Sequence, residues 1–322
     1  VRAALLEPTK SLHSYEGFFL SYLFKKTSVC VKINYKLKFT LEVNMTIIDG
    51  IIMGIVQGLT EFLPVSSSGH LVLFSNILGI NDPGQSNLLF DALLHLGTLI
   101  AVIIAFYKDV IDLIKEFFLV IKDIFTGKFT LKNMTPYRRF LIMIIVSLFP
   151  LIFIYPLKDK VETLFSSVLF VGIALLITSV MLYICDKLVI GKKDMSNTSY
   201  SNALTVGIFQ AVAVAPGISR SGSTITGGLI CGFSKEYAFK FSFIMSLPTI
   251  LAANVLTFKD ALEEGVKDVN VVPYIAGVIT AAVVGYFSIV LLKYILTKNR
   301  FRIFSYYCLA VGLIAIIYSL IF

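Results

Sequence analysis

Six apolar runs, at 88–106, 140–157, 163–185, 239–257, 272–292 and 303–321, are each long enough to cross a bilayer. They constrain the fold more than any other feature of the chain. A segment in hydrocarbon must satisfy every backbone N–H and C=O within the protein, and unbroken apolar runs of this length do so as helices. Composition agrees, with 57% hydrophobic residues, 15% charged residues and a mean hydropathy of +0.86, well above the values of a soluble domain. The 322 residues accommodate a single integral domain.

Two further apolar regions, 47–80 and 203–233, break this template, because "LPVSSSG" and "APGISRSGS" interrupt them midway. Each half is too short to cross alone. Each region therefore reads as a re-entrant helix–loop–helix, tolerated at membrane depth only where protein or a watery cavity covers the exposed backbone. The two are also related. "GIVQGLTEFLPVSSSGH" (54–70) aligns with "GIFQAVAVAPGISRSGS" (207–223), matching Gly54 with Gly207, Gln57 with Gln210, Ser66 with Ser219, Ser68 with Ser221 and Gly69 with Gly222. Downstream, "LGTLIA" (96–101) resembles "LPTILA" (247–252). One broken hairpin followed by three full spans gives each half an odd number of crossings, so the second copy runs in the opposite sense. The expected fold is an all-α integral membrane protein built as an inverted-topology repeat, with repeat one at about 45–186 and repeat two at about 203–322. It has six full spans plus two re-entrant helical hairpins.

Basic residues crowd the loops 107–139, 186–203 and 293–302 and thin out in 81–87, 158–162 and 258–271. The first set is expected in the cytoplasm, which opens the first hairpin to the outer face. In such a chain a net charge of +8 points to cytoplasmic loops rather than to nucleic acid, and no nucleic-acid motif competes. Cys30, Cys185, Cys231 and Cys308 are scattered without a CxxC pair, so neither a zinc site nor a disulfide framework is suggested. Residues 1–44 precede the first methionine, Met45, and their one apolar stretch, "GFFLSYLF", is too short to span. They read as an N-terminal extension that is dispensable or non-native.

The chemistry concentrates in the two broken regions. Gln57 and Glu61 lie four residues apart and share a helical face, while Ser66, Ser67, Ser68 and His70 follow the helix-breaking Pro64. A carboxylate at membrane depth costs on the order of 3 kcal/mol and marks function by default. Glu61 therefore needs a cationic partner, either a divalent metal or Arg220. In the second region "PGISRSGST" sets Arg220 among Ser219, Ser221, Ser223 and Thr224 at the start of an apolar helix. Helix-start amides, hydroxyl donors and a guanidinium fork together suit phosphate. Close helix packing would explain the small residues but would leave Arg220 without a role. A hydroxyl nucleophile, an imidazole, a carboxylate suited to a hard metal and a phosphate clamp make a set for phosphoryl transfer. Asp91 and His95, on one helical face of the first full span, are weaker candidates for a supporting or structural role.

"QGLTEFLPVSSSGH" and "PGISRSGST", at this separation in a chain of this hydropathy, resemble the undecaprenyl pyrophosphate phosphatase family, the bacitracin-resistance proteins. The likeness covers essentially all of 45–322. It implies hydrolysis of undecaprenyl pyrophosphate to undecaprenyl phosphate and inorganic phosphate, which recycles the lipid carrier of cell-wall synthesis. It also implies a divalent cation, Mg2+ or Ca2+, and a lipid substrate, and it leaves room for a homodimer. The location implied is the bacterial plasma membrane. By position, Glu61 matches the second glutamate of the family's E/Q-x-x-x-E motif, Ser66 and Ser67 its paired serines, His70 its histidine and Arg220 the arginine of its second motif. Gln57 stands where many members carry glutamate, and an amide adds no charge, so Gln57 is expected to bind while Glu61 holds the metal or moves a proton. Glu61, Ser67, His70 and Arg220 are the expected catalytic set. Ser66, Ser68, Ser219, Ser221, Ser223 and Thr224 are expected, with Gln57, to bind phosphate. Either Ser67 or water attacks, and His70 relays the proton or hydrolyses a phosphoserine.

Two other classes share some features. Inverted repeats with broken helices are the usual build of secondary transporters, including lipid flippases, but a carrier does not need the serine, histidine and arginine set. The type 2 phosphatidic-acid phosphatases share "SGH" and "SR" elements, yet "SGSTITGGL" after Arg220 lacks their second histidine.

Overall fold

The computed structural model describes residues 45–78, 86–132, 134–188, 191–264, 271–298 and 300–321. The expectation about residues 1–44 lies outside them. The described residues are predominantly helical. Helix α1 (Ile47–Phe62) and α2 (Ser67–Leu78) make the first broken region, and α8 (Tyr200–Val212) and α9 (Arg220–Ile230) make the second. Between them lie α3 (Ser86–Ala105), α4 (Tyr107–Phe125), α5 (Pro136–Ile154), the short α6 (Lys158–Leu164) and α7 (Val168–Lys187). After them come α10 (Lys235–Glu264), α11 (Val271–Thr297) and α12 (Arg302–Ile321).

Five of these helices, α5, α7, α10, α11 and α12, are long and apolar enough to cross a membrane. A sixth span is reached if α3 and α4 count as one, although they meet at a bend of 92°. That bend corrects the reading of 107–139 as a plain basic loop. Lys108, Lys115 and Lys122 recur every seven residues, which puts them on one stripe of a helix and leaves Ile111, Ile114 and Phe118 exposed on another. The charge count saw the lysines and missed their period. Ion pairs fasten this amphipathic helix to its neighbours. Lys240 on α10 donates to Asp109 at 2.9 Å, and Arg138 on α5 donates to Glu116 at 3.1 Å and Asp123 at 2.8 Å.

The two broken regions begin alike. In α1, Thr46 Oγ1 accepts from Asp49 N at 3.2 Å while Asp49 Oδ2 accepts from Thr46 N at 3.0 Å. In α8, Ser199 and Asn202 make the same reciprocal cap. Each first helix then packs on a long helix of the opposite half, α1 on α11 and α8 on α5. Small residues permit this close approach. A Cβ on Gly54 would stand 2.5 Å from Gly277 O, and one on Gly58 2.8 Å from Gly285 N. Gly207 on α8 sits as tightly against Ser147 and Pro150 on α5. The last helices of the halves, α7 and α12, pack on each other through Gly172 and Gly312. The halves are thus interleaved, which brings the two turns together.

Candidate active site

The first helix ends where Pro64 follows Leu63, because proline cannot continue the hydrogen-bond ladder. Phe62 anchors that end by stacking on Phe243 of α10, with ring centroids 5.3 Å apart. Glu61 is therefore held by its neighbour as well as by its own contacts. In the turn Ser66 adopts φ 72°, a left-handed conformation that is uncommon for serine and recurs at functional turns. Its hydroxyl accepts from Gly69 N at 3.3 Å and shares a 3.3 Å hydrogen bond with Ser68. The second turn repeats the pattern. Gly217 takes the positive φ, 93°, Ser219 Oγ accepts from Gly222 N at 3.1 Å, and Ser219 and Ser221 hydroxyls lie 3.3 Å apart.

Four side chains converge on the Glu61 carboxylate. Ser67 Oγ donates to Oε2 at 2.6 Å, and Gln57 Nε2 donates to the same oxygen at 3.1 Å. His95 Nε2 stands 3.5 Å from it. Arg220, from the first turn of α9, pairs with Oε1. The Glu61 side chain is 3% exposed and the Arg220 side chain 25%, so the carboxylate is buried while its guanidinium partner reaches open space. Ser67 is likewise partly exposed. A buried carboxylate, a half-buried hydroxyl hydrogen-bonded to it and a guanidinium at a helix N-terminus can bind an anion and take a proton from its attacker.

His70 lies behind the turn. Its Nδ1 bonds Ser66 O at 2.8 Å and its Nε2 bonds the Tyr307 hydroxyl at 2.8 Å. Ser221 Oγ donates to Leu63 O at 3.4 Å and so ties the second turn to the first. Ser223 and Thr224 point elsewhere: Ser223 donates to Met181 Sδ at 3.5 Å, and Thr224 meets Ser242 at 2.6 Å. Both face helices that pack on α9. Asp91 accepts from His95 Nδ1 through its backbone carbonyl at 2.7 Å, which aims the imidazole at Glu61.

With that geometry in hand, the likeness to known proteins is extensive. The family model described as bacitracin resistance protein BacA matches residues 50–314. The chain belongs to this family. Among its relatives, the undecaprenyl-diphosphatase of Alkaliphilus metalliredigens is 44% identical over 265 residues, covering 82% of this chain and 95% of the relative. That of Methanosphaera stadtmanae is 43% identical over 267 residues, covering 82% and 94%. That of Halothermothrix orenii is 44% identical over 265 residues, covering 82% and 95%. The family match spans both turns and every helix that carries a contact to Glu61.

Sequence reasoning placed His95 only among the weaker candidates, and it left out Tyr307 and Thr178. Thr178 donates to Gly217 O at 3.0 Å and accepts from Ser219 N at 3.2 Å, so it pins the second turn from α7. The pair Thr178 and Ser179 inside an apolar run was its trace in the sequence. Tyr307 is one of 15 tyrosines, and nothing local distinguishes it.

Proposed function

We propose that this site hydrolyses undecaprenyl pyrophosphate to undecaprenyl phosphate and inorganic phosphate, with Ser67 as nucleophile and Glu61 as its base. The 2.6 Å hydrogen bond from Ser67 to Glu61 carries the assignment. Ser67 Oγ attacks the terminal phosphorus, its proton passes to Glu61, and the bond to the bridging oxygen breaks to release undecaprenyl phosphate. Water then hydrolyses the phosphoserine. Arg220 and the amides at the start of α9 neutralise the charge on the phosphoryl oxygens. As the substrate draws Arg220 toward its phosphates, the Glu61 oxygen it occupied becomes free. His70 does not reach Ser67, since both of its nitrogens are engaged elsewhere.

A divalent cation fits the donor set. Gln57 Oε1 is buried with no hydrogen-bond partner, and with Glu61 and the serine hydroxyls it offers the oxygen ligands that Mg2+ and Ca2+ prefer. No group of three His, Cys, Asp or Glu side chains suited to a metal occurs among the described residues, so water and substrate oxygens would complete the shell. Such a cation would act as a Lewis acid on the phosphoryl oxygens.

The basic loops support a topology in which α1–α2 and α8–α9 re-enter from opposite faces of the plasma membrane and the site opens outward. The prenyl chain would lie in the apolar groove between α7, α8 and α9, where Ile177, Met181, Phe209 and Ile230 line the wall. Phosphate release by purified protein from undecaprenyl pyrophosphate, with and without chelator, tests the proposal. Substrate binding without release would favour transport.

A further inference from the structure

We propose that Tyr307, on the last helix, is a positioning residue that holds the far nitrogen of the His70 ring and through it the turn that aims Ser67. The inference rests on the reading of this hairpin as the phosphatase site. Ser66 O is a carbonyl and can only accept, so His70 Nδ1, 2.8 Å away, must carry a proton. In the neutral imidazole Nε2 is then the bare nitrogen, and it accepts from the Tyr307 hydroxyl at 2.8 Å. The two rings lie nearly parallel, with 12° between their planes. His70 is 3% exposed, and each ring nitrogen has a partner at 2.8 Å. Were Nε2 to hold the proton instead, Nδ1 would face the Ser66 carbonyl with a lone pair and push the turn away.

That turn is where the position matters. Ser66 holds φ 72°, and the next residue is Ser67, whose hydroxyl must reach Glu61. Bonding its carbonyl to His70 offsets the cost of a conformation serine seldom adopts. Tyr307 is itself held at a fixed height. Two residues earlier, Ser305 Oγ donates to Ser179 O and Ser179 Oγ donates to Ser305 O, both at 2.8 Å. One residue later, Cys308 Sγ approaches Pro64 O at 3.8 Å. A strut thus runs from α12 in one half through an imidazole to the serine turn of the other.

Full-length protein labelled with 15N-histidine tests this, because only His13, His70 and His95 contribute signals. Wild-type His70 should show a protonated Nδ1 and a bare Nε2. Tyr307→Phe keeps the ring and removes the hydroxyl. It should keep Nδ1 protonated against Ser66 O but leave Nε2 without its donor, shifting the Nε2 resonance, and lower kcat roughly tenfold, the equivalent of one hydrogen bond, while KM stays within about twofold. A wild-type Nε2–H tautomer, or a Tyr307→Phe protein with unchanged kcat, overturns the proposal. Ser67→Ala and His70→Ala, assayed beside it, separate the two possible failures. If both keep full activity, the catalytic reading of the turn falls and the strut with it. If both lose activity while Tyr307→Phe does not, the strut alone falls.

Discussion

Thr46 with Asp49 and Ser199 with Asn202 start the two hairpins with the same capping box, and Ser66 and Ser219 cap the helices that leave the turns with the same reach to a glycine amide. Gln57 and Gln210 sit at matching positions, and each buries a side-chain oxygen without a partner. The charges differ. The first hairpin carries Glu61 and His70, and at the matching positions the second carries Val214 and Ser223, with Arg220 in place of Ser67. The scaffold is duplicated while the charges are divided, and the proposed site therefore needs both hairpins.

The comparison predicts that losses will be largest where the hairpins differ. Glu61→Gln keeps the shape and removes the charge, and it should lower phosphate release about a thousandfold, as should Arg220→Ala. Where the hairpins match in packing, the cost should be similar and structural. Gly54→Ala and Gly207→Ala each place a methyl against backbone of the opposite half, and each should destabilise the protein by about 1–3 kcal/mol in thermal unfolding. A tolerated Gly207→Ala would show that the second hairpin is not seated like the first. Smallest is the effect at the paired glutamines. Gln57 donates to Glu61, whereas Gln210 donates to Thr249 at 3.3 Å. Gln57→Ala should cost about tenfold in kcat/KM, and Gln210→Ala should leave it within about twofold. Equal losses at both would erase the asymmetry.

The polar residues of both turns were legible in the sequence because lipid leaves few reasons for them other than function. The long helices were legible from hydrophobicity. The helix α4 was not, since charge was weighed there without its period. The convergence of Gln57, Glu61, Ser67 and Arg220 followed from the repeat, which pairs the turns before any distance is known. The place of His70 did not follow: a histidine three residues beyond a serine suggests a relay, and only the fold shows Tyr307, more than 200 positions away, holding its far nitrogen. Likewise Ser223 and Thr224 share a motif with Arg220, yet the helix turns their hydroxyls to Met181 and Ser242.

A double-mutant cycle between Glu61 and Arg220, read as kcat/KM for phosphate release, tests most directly the claim that the two hairpins form one site. If they act as a unit, Glu61→Gln with Arg220→Ala should be no more than a few-fold worse than the more impaired single variant. Losses that multiply would mean that the hairpins act independently, and would contradict the account.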